Sequence, residues 1–187
     1  ETNALPSILS EYSDVIQIFI PELTNSIIQY TLNAMIRSPL DANIRMAILL
    51  KDIPNVKEIL ERLKYSGAEQ TVILNCIKHS TKTLTSKIEL KQFLSKLNIP
   101  FDIYHTYRYA IDTDYPRYNM LAYYHEIQDA SEPYLLKHLA IDGNTLKGIG
   151  YQGKEIADVL HACLDEVIHH PENNNTKFLI DMIKRTD

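Results

Sequence analysis

Four of the chain's five glycines, Gly143, Gly148, Gly150 and Gly153, fall within the stretch Leu139 to Gly153. A backbone that reaches positive φ without a Cβ penalty can turn sharply and come close to another molecule. Directly behind this stretch, Ile156, Val159, Leu160, Cys163, Leu164, Val167 and Ile168 recur at helical spacing. The pattern predicts a short helix, a Gly-x-x-Gly hairpin and a longer amphipathic helix. The first amides of that second helix have no intrahelical partner and carry partial positive charge, which suits a phosphate group. Lys147 and Lys154 flank the turn, so Lys147, Gly150, Gly153 and Lys154 form the first candidate for contact with a nucleic-acid backbone. The plainer reading of the same residues is a helix connector that packs locally and touches nothing else.

A second candidate is a basic band. The chain carries a formal net charge of −5, yet residues 55 to 96 hold eight Lys/Arg against four Asp/Glu. Lys78 and Lys82 are four apart, as are Lys87 and Lys91, with Lys96 beyond. Each pair is expected to share a helix face and to offer an RNA-binding strip along phosphates; the alternative is an ordinary solvated face. Seven of the twelve tyrosines lie between Tyr104 and Tyr124. With Arg108 and Arg117 they could stack unpaired bases, although the spacing of Tyr104, Tyr107 and Ile111 equally suits a core face. Asp112-Thr113-Asp114, just before Tyr115-Pro116, reads as a turn and cap rather than a metal pair. The seven histidines show no metal-ligand spacing, and no Ser/His/Asp or Cys/His arrangement stands out. Catalytic and metal residues are expected to be absent from this chain.

The elements that must hold these residues are helices. Leu5, Ile8, Leu9, Tyr12, Val15, Ile16 and Phe19 form one amphipathic run ending before Pro21. Thr24 to Ser26 can cap a second helix with core positions Ile28, Thr31, Leu32 and Met35, and Asp41 a third that Pro54 ends. Ser66 to Glu69 and Ser86 to Glu89 both fit the Ser-x-x-Glu capping box. Nothing alternates with a period of two for long. The expected fold class is all-α: a helical body over residues 1–136 and a small helical tail over 137–187. At 187 residues, with 45% hydrophobic and 23% charged residues, the chain is long enough to bury a core. No apolar run reaches the roughly 18 residues of a membrane span. Cys76 and Cys163 both fall on apolar helix faces, as expected for buried reduced thiols in a cytoplasmic protein.

The ordered set of segments resembles a family. Leu139-x-Ile141-x-Gly143-x-x-Leu146-x-x-x-Gly150-x-x-Gly153-x-x-Ile156, continuing to Asn174 and a last apolar helix, is similar to the C-terminal tail of bacterial CCA-adding enzymes and their poly(A) polymerase relatives. Ala47-Ile48-Leu49-Leu50-Lys51-Asp52-Ile53 resembles the Leu-Leu-His-Asp-Ile stretch of the HD-type body in those enzymes. Ile59 to Ser66, then Ile77-Lys78-His79, and Tyr12 to Leu23 resemble further body segments in the right order. The resemblance implies a tRNA-binding region, with tRNA as partner, gripped far from the chemistry.

The departures bear on activity. The nucleotidyltransferase head of the family, with Gly-Gly-x-Val-Arg-Asp and Asp-x-Asp, is missing from this chain, and so is the Glu-Asp-x-x-Arg neck motif. Mg²⁺ and CTP or ATP are therefore expected only with that separate head and neck, and no cofactor is expected here. Lys51 stands where a metal-binding histidine would be, and an ammonium has no lone pair to give a metal. The HD-type body is thus expected to be degenerate. The segments around Leu23-Thr24 and Ile53-Pro54 are shorter than in the family. A stand-alone helical scaffold that binds protein partners is the other reading, supported by the net acidity and the lost ligands.

Overall fold

The run Ala47-Ile48-Leu49-Leu50 has no polar member, and a helix without a polar face must be surrounded. The structure, a computed structural model describing residues 4–186, is built of α-helices and two 3₁₀ turns, with no strand among the described residues. In order the helices are α1 (Leu5–Glu11), α2 (Ser13–Phe19), α3 (Asn25–Arg37), α4 (Ala42–Leu50), α5 (Val56–Arg62), α6 (Gly67–Lys78), α7 (Lys87–Leu94) and α8 (Phe101–Ile111). They continue with α9 (Arg117–Asp129), α10 (Gly143–Gly148), α11 (Lys154–His169) and α12 (Thr176–Thr186). The all-α expectation holds.

The chain divides into two compact units. One takes the chain up to Thr83 together with Leu97–Arg117; the other takes Leu84–Lys96 and the chain from Tyr118 onward. The second unit thus holds α7 and α9 from Tyr118 on, together with the tail helices.

In the first unit α4 is the centre. Ile44, Ala47, Ile48, Leu49 and Leu50 are all buried, and α3, α6 and α8 pack around the helix. Arg37, the last residue of α3, donates both Nε and Nη2 to the Ala110 carbonyl, at 3.0 and 2.7 Å. It thereby satisfies a carbonyl in the last turn of α8 that has no intrahelical donor. The amphipathic run at the N-terminus is expected as one helix but is two, interrupted at Tyr12 (φ −120°, ψ 34°). Ser13 and Asp14, polar types that suit a helix start, restart it there.

The caps follow the side-chain chemistry. Thr24 and Asp41 accept from the amides of Ile27 and Ile44 at 3.3 and 2.8 Å. Ser66 and Glu69 make the full reciprocal box. The second box is displaced: Ser86 accepts from the Glu89 amide, but the Glu89 carboxylate bonds the amide and hydroxyl of Thr85 instead of Ser86.

In the second unit Cys163 and Val167 of α11 are fully buried with Ile141, Leu146, Leu179 and Ile183. Asn174 ties its loop to the segment before α10: Oδ1 accepts from the Ala140 amide and Nδ2 donates to the His138 carbonyl, both at 2.8 Å. Thr176 Oγ1 adds a bond to the Ala140 carbonyl at 3.0 Å. The glycine-rich corner thus rides on a fastened three-helix core. Both cysteines are buried and free, and burial pushes the Cys76 thiol up to about 12.

Candidate nucleic-acid interface

The corner has the local form its sequence predicts: α10, a turn, then α11. Asp142 caps α10, accepting from the amide and hydroxyl of Thr145 at 2.8 and 2.9 Å, and these bonds hold its carboxyl below the usual range. The exit from α10 is a Schellman turn. The Tyr151 amide donates to the Leu146 carbonyl and the Gly150 amide to the Lys147 carbonyl, at 3.1 and 3.2 Å, with Gly150 at φ +110°. Gly153 then caps α11 at φ +55°, ψ −128°, a conformation that side chains disfavour. It brings no capping side chain to the first amides of α11.

The two glycines therefore serve the backbone first. A Cβ at Gly148, Gly150 or Gly153 would meet nothing within 4 Å, so the constraint at Gly150 and Gly153 is conformational and the space outside the turn is open. Lys147 and Lys154 are both exposed there. The electrostatics are mixed, however. A depression of about 540 Å³ beside Gly150 and Tyr151 is lined by Glu155 and Asp158 as well. Those two carboxylates oppose a phosphate that approaches through this depression.

The basic band is rearranged by the fold. α6 ends at Lys78, so Lys82 sits in the following turn, its amide donating to the His79 carbonyl, and the two lysines do not share a helix face. Both remain exposed, and their charge adds to burial in pulling the His79 pKa down. Lys87 and Lys91 do share a face of α7, but that face is turned inward. Lys87 Nζ lies 2.7 Å from Glu132 Oε1 and 3.5 Å from Glu126. Lys91 is 1% exposed and its Nζ donates to Glu132 Oε2 at 2.9 Å. Lys91 is therefore withdrawn as a surface contact and Lys87 largely neutralised. The residue that decides this, Glu132, lies more than forty positions away in the sequence.

The tyrosine region goes mainly to the core. Tyr104, Tyr107 and Tyr115 are buried, with burial raising each phenol. Arg108 is buried as well, its Nη2 on Asp112 at 2.7 Å and its Nη1 on the Ser80 carbonyl. Asp112 also accepts from the Asp114 amide at 3.0 Å, so this Asp-x-Asp makes a turn. Tyr118, by contrast, is 79% exposed, and Arg117 lies over the Tyr109 ring at 4.1 Å. Lys51 contacts its neighbour Asp52 and lies 4.8 Å over the Tyr30 ring. Among the described residues no group of three His, Cys, Asp or Glu is placed to hold a metal ion. No helix among them is long and apolar enough to cross a membrane.

Comparison with protein-family models, with curated proteins and with solved structures returns no match for this chain.

Proposed function

We propose that this chain is the RNA-holding body and tail region of a tRNA nucleotidyltransferase-like protein, which grips tRNA while a separate head and neck perform CTP- and ATP-dependent addition. The observation that carries the reading is the open corner at Gly150–Gly153, where a helix start with no side-chain cap stands between two exposed lysines of the sequence, Lys147 and Lys154. Backbone amides and ammonium groups recognise phosphates without reading sequence, as holding any tRNA requires. Lys147 and Lys154 are the primary contacts, with Lys78 and Lys82 as further exposed cations on the other unit.

Filter binding of tRNA at two salt concentrations tests this. Each lysine that neutralises a phosphate contributes about 0.7 to 0.9 to the log–log salt slope. Replacing Lys147 and Lys154 together with Gln should lower both affinity and slope, and Gly153→Asp should abolish binding at the corner. Binding that is absent, or unchanged in the double variant, would end the proposal.

A second reading has its own support. Ile18, Phe19, Tyr30, Ile36 and Leu40 are each more than 60% exposed, apolar surface that a protein partner would cover. On that reading the chain is a degenerate helical scaffold, and tRNA binding is undetectable at either salt concentration.

A further inference from the structure

Not one of the seven residues of α2 is buried. On its inner side Ser13, Ile16 and Gln17 are half-buried, and Gln17 Nε2 donates to Asn25 Oδ1 at 2.8 Å. Its outer side is apolar. Val15, Ile18 and Phe19 stand at i, i+3 and i+4, so they share one face, and they are 44%, 74% and 64% exposed. A surface helix normally turns such a stripe toward other protein and its polar residues toward water. Here the stripe itself meets water.

Charge decides what can cover it. Asp14, four positions before Ile18, stands at the edge of the same face, and Glu11 is exposed in the turn before. Neither makes an ion pair with a described residue, whereas Glu22 is held by Arg62 at 2.7 Å. The first Lys, Arg or His of the chain is Arg37, so the segment offers no countercharge of its own. Free carboxylates at this place repel RNA phosphates and anionic lipid headgroups, and helices that lie on membranes carry Lys and Arg instead. A second copy meeting the face about a two-fold axis would set the same carboxylates against each other. A polypeptide with Lys or Arg beside its own apolar stripe meets neither obstacle.

We propose that the outer face of α2 docks a basic amphipathic helix of a partner protein. The partner's apolar residues pack on Val15, Ile18 and Phe19, the spacing by which helices are anchored in recognition. Its ammonium or guanidinium groups meet Asp14 and Glu11, and this complementarity sets the choice of partner. Two helical turns offer three anchors, so the contact is a weak, exchangeable one. The inference goes beyond both readings above, since a partner on α2 is compatible with tRNA at the corner or with none.

Fluorescence anisotropy of a labelled amphipathic peptide of leucine and lysine, titrated with the full chain, tests it against a counterpart carrying glutamate for lysine. The lysine peptide should bind saturably, at least about tenfold more tightly than the glutamate one, and lose affinity as salt rises. Ile18→Ser combined with Phe19→Ser should weaken it about tenfold or more. Both side chains are exposed, so this variant should keep the native unfolding midpoint. Glu11→Lys combined with Asp14→Lys should weaken the lysine peptide and strengthen the glutamate one. Absence of binding overturns the proposal, as do equal binding of the two peptides and undiminished binding to the folded double-serine variant. If that variant fails to fold, the charge-reversed variant and the ratio of the two peptides decide alone. Self-association of the unaltered chain, or binding to phosphatidylglycerol vesicles, that the double-serine variant loses overturns it as well.

Discussion

Lys91 Nζ and Glu132 Oε2 meet at 2.9 Å, with the lysine 1% exposed and Lys87 on the other carboxylate oxygen at 2.7 Å. One carboxylate thus holds two ammonium groups from consecutive turns of α7. Removing one partner of a buried pair leaves the other charge uncompensated, which costs more than exchanging both for apolar groups. Glu132→Ala should therefore destabilise the protein by about 3 to 5 kcal/mol. Lys91→Met, which leaves Glu132 with Lys87, should cost clearly less. Urea unfolding of the two variants makes the comparison.

The same cluster sets a pH window. Lysine hydrogen bonds and charge hold the Glu132 pKa below its ordinary 4.5 despite the opposing effect of burial. A depressed acid contributes stability that is full above the unfolded value and is lost as pH falls through the lower folded value. The Glu132 bond, above all, raises the Lys87 pKa above 10.5, so its contribution is full below 10.5 and fades as pH rises through the raised value. In Glu132→Gln, thermal unfolding should lose the parts of its acid and alkaline dependence that come from this pair.

His105 adds a separate acid sensitivity. It is buried, its Nδ1 lies 3.2 Å from the Tyr115 hydroxyl, and burial, then Arg117, lowers its pKa from 6.5. The unfolded chain takes up this proton more readily, so stability should fall as pH drops below 6.5 and level off below the folded pKa. His105→Gln should remove that component, as read from denaturation midpoints at pH 7.5 and 5.5.

Two neighbouring glycines should respond oppositely to alanine. Gly150 sits at φ +110° in the Schellman turn, and Gly150→Ala should cost about 1 kcal/mol or more from conformation alone. Gly148 ends α10 without positive φ and with open space at its Cβ, so Gly148→Ala should stabilise by about 0.4 to 1 kcal/mol. Chemical denaturation of the pair checks both signs.

The RNA reading makes a prediction that separates the lysines. Lys91→Gln should leave the tRNA salt slope unchanged because its ammonium is already occupied by Glu132. Lys147→Gln should lower the slope by about 0.7 to 0.9. The contrast is read in one filter-binding series, on variants first checked for native unfolding midpoints.

Sequence alone determined what depends on neighbours along the chain. The apolar period of 3.6, the caps at Thr24, Asp41 and Ser66, and the turn at Asp112 all rest on groups a few positions apart, and each is found. The hairpin followed too, since a glycine's permission to turn is a property of that residue. Tertiary structure decided which faces see water. Spacing places Lys87 and Lys91 on one side of α7, but only the return of the chain at Glu132 turns that side inward. It also decided that Arg37 closes the end of α8, donating to the Ala110 carbonyl 73 positions away. Burial and charge pairing depend on every element that packs nearby, so no local pattern of residue types carries them.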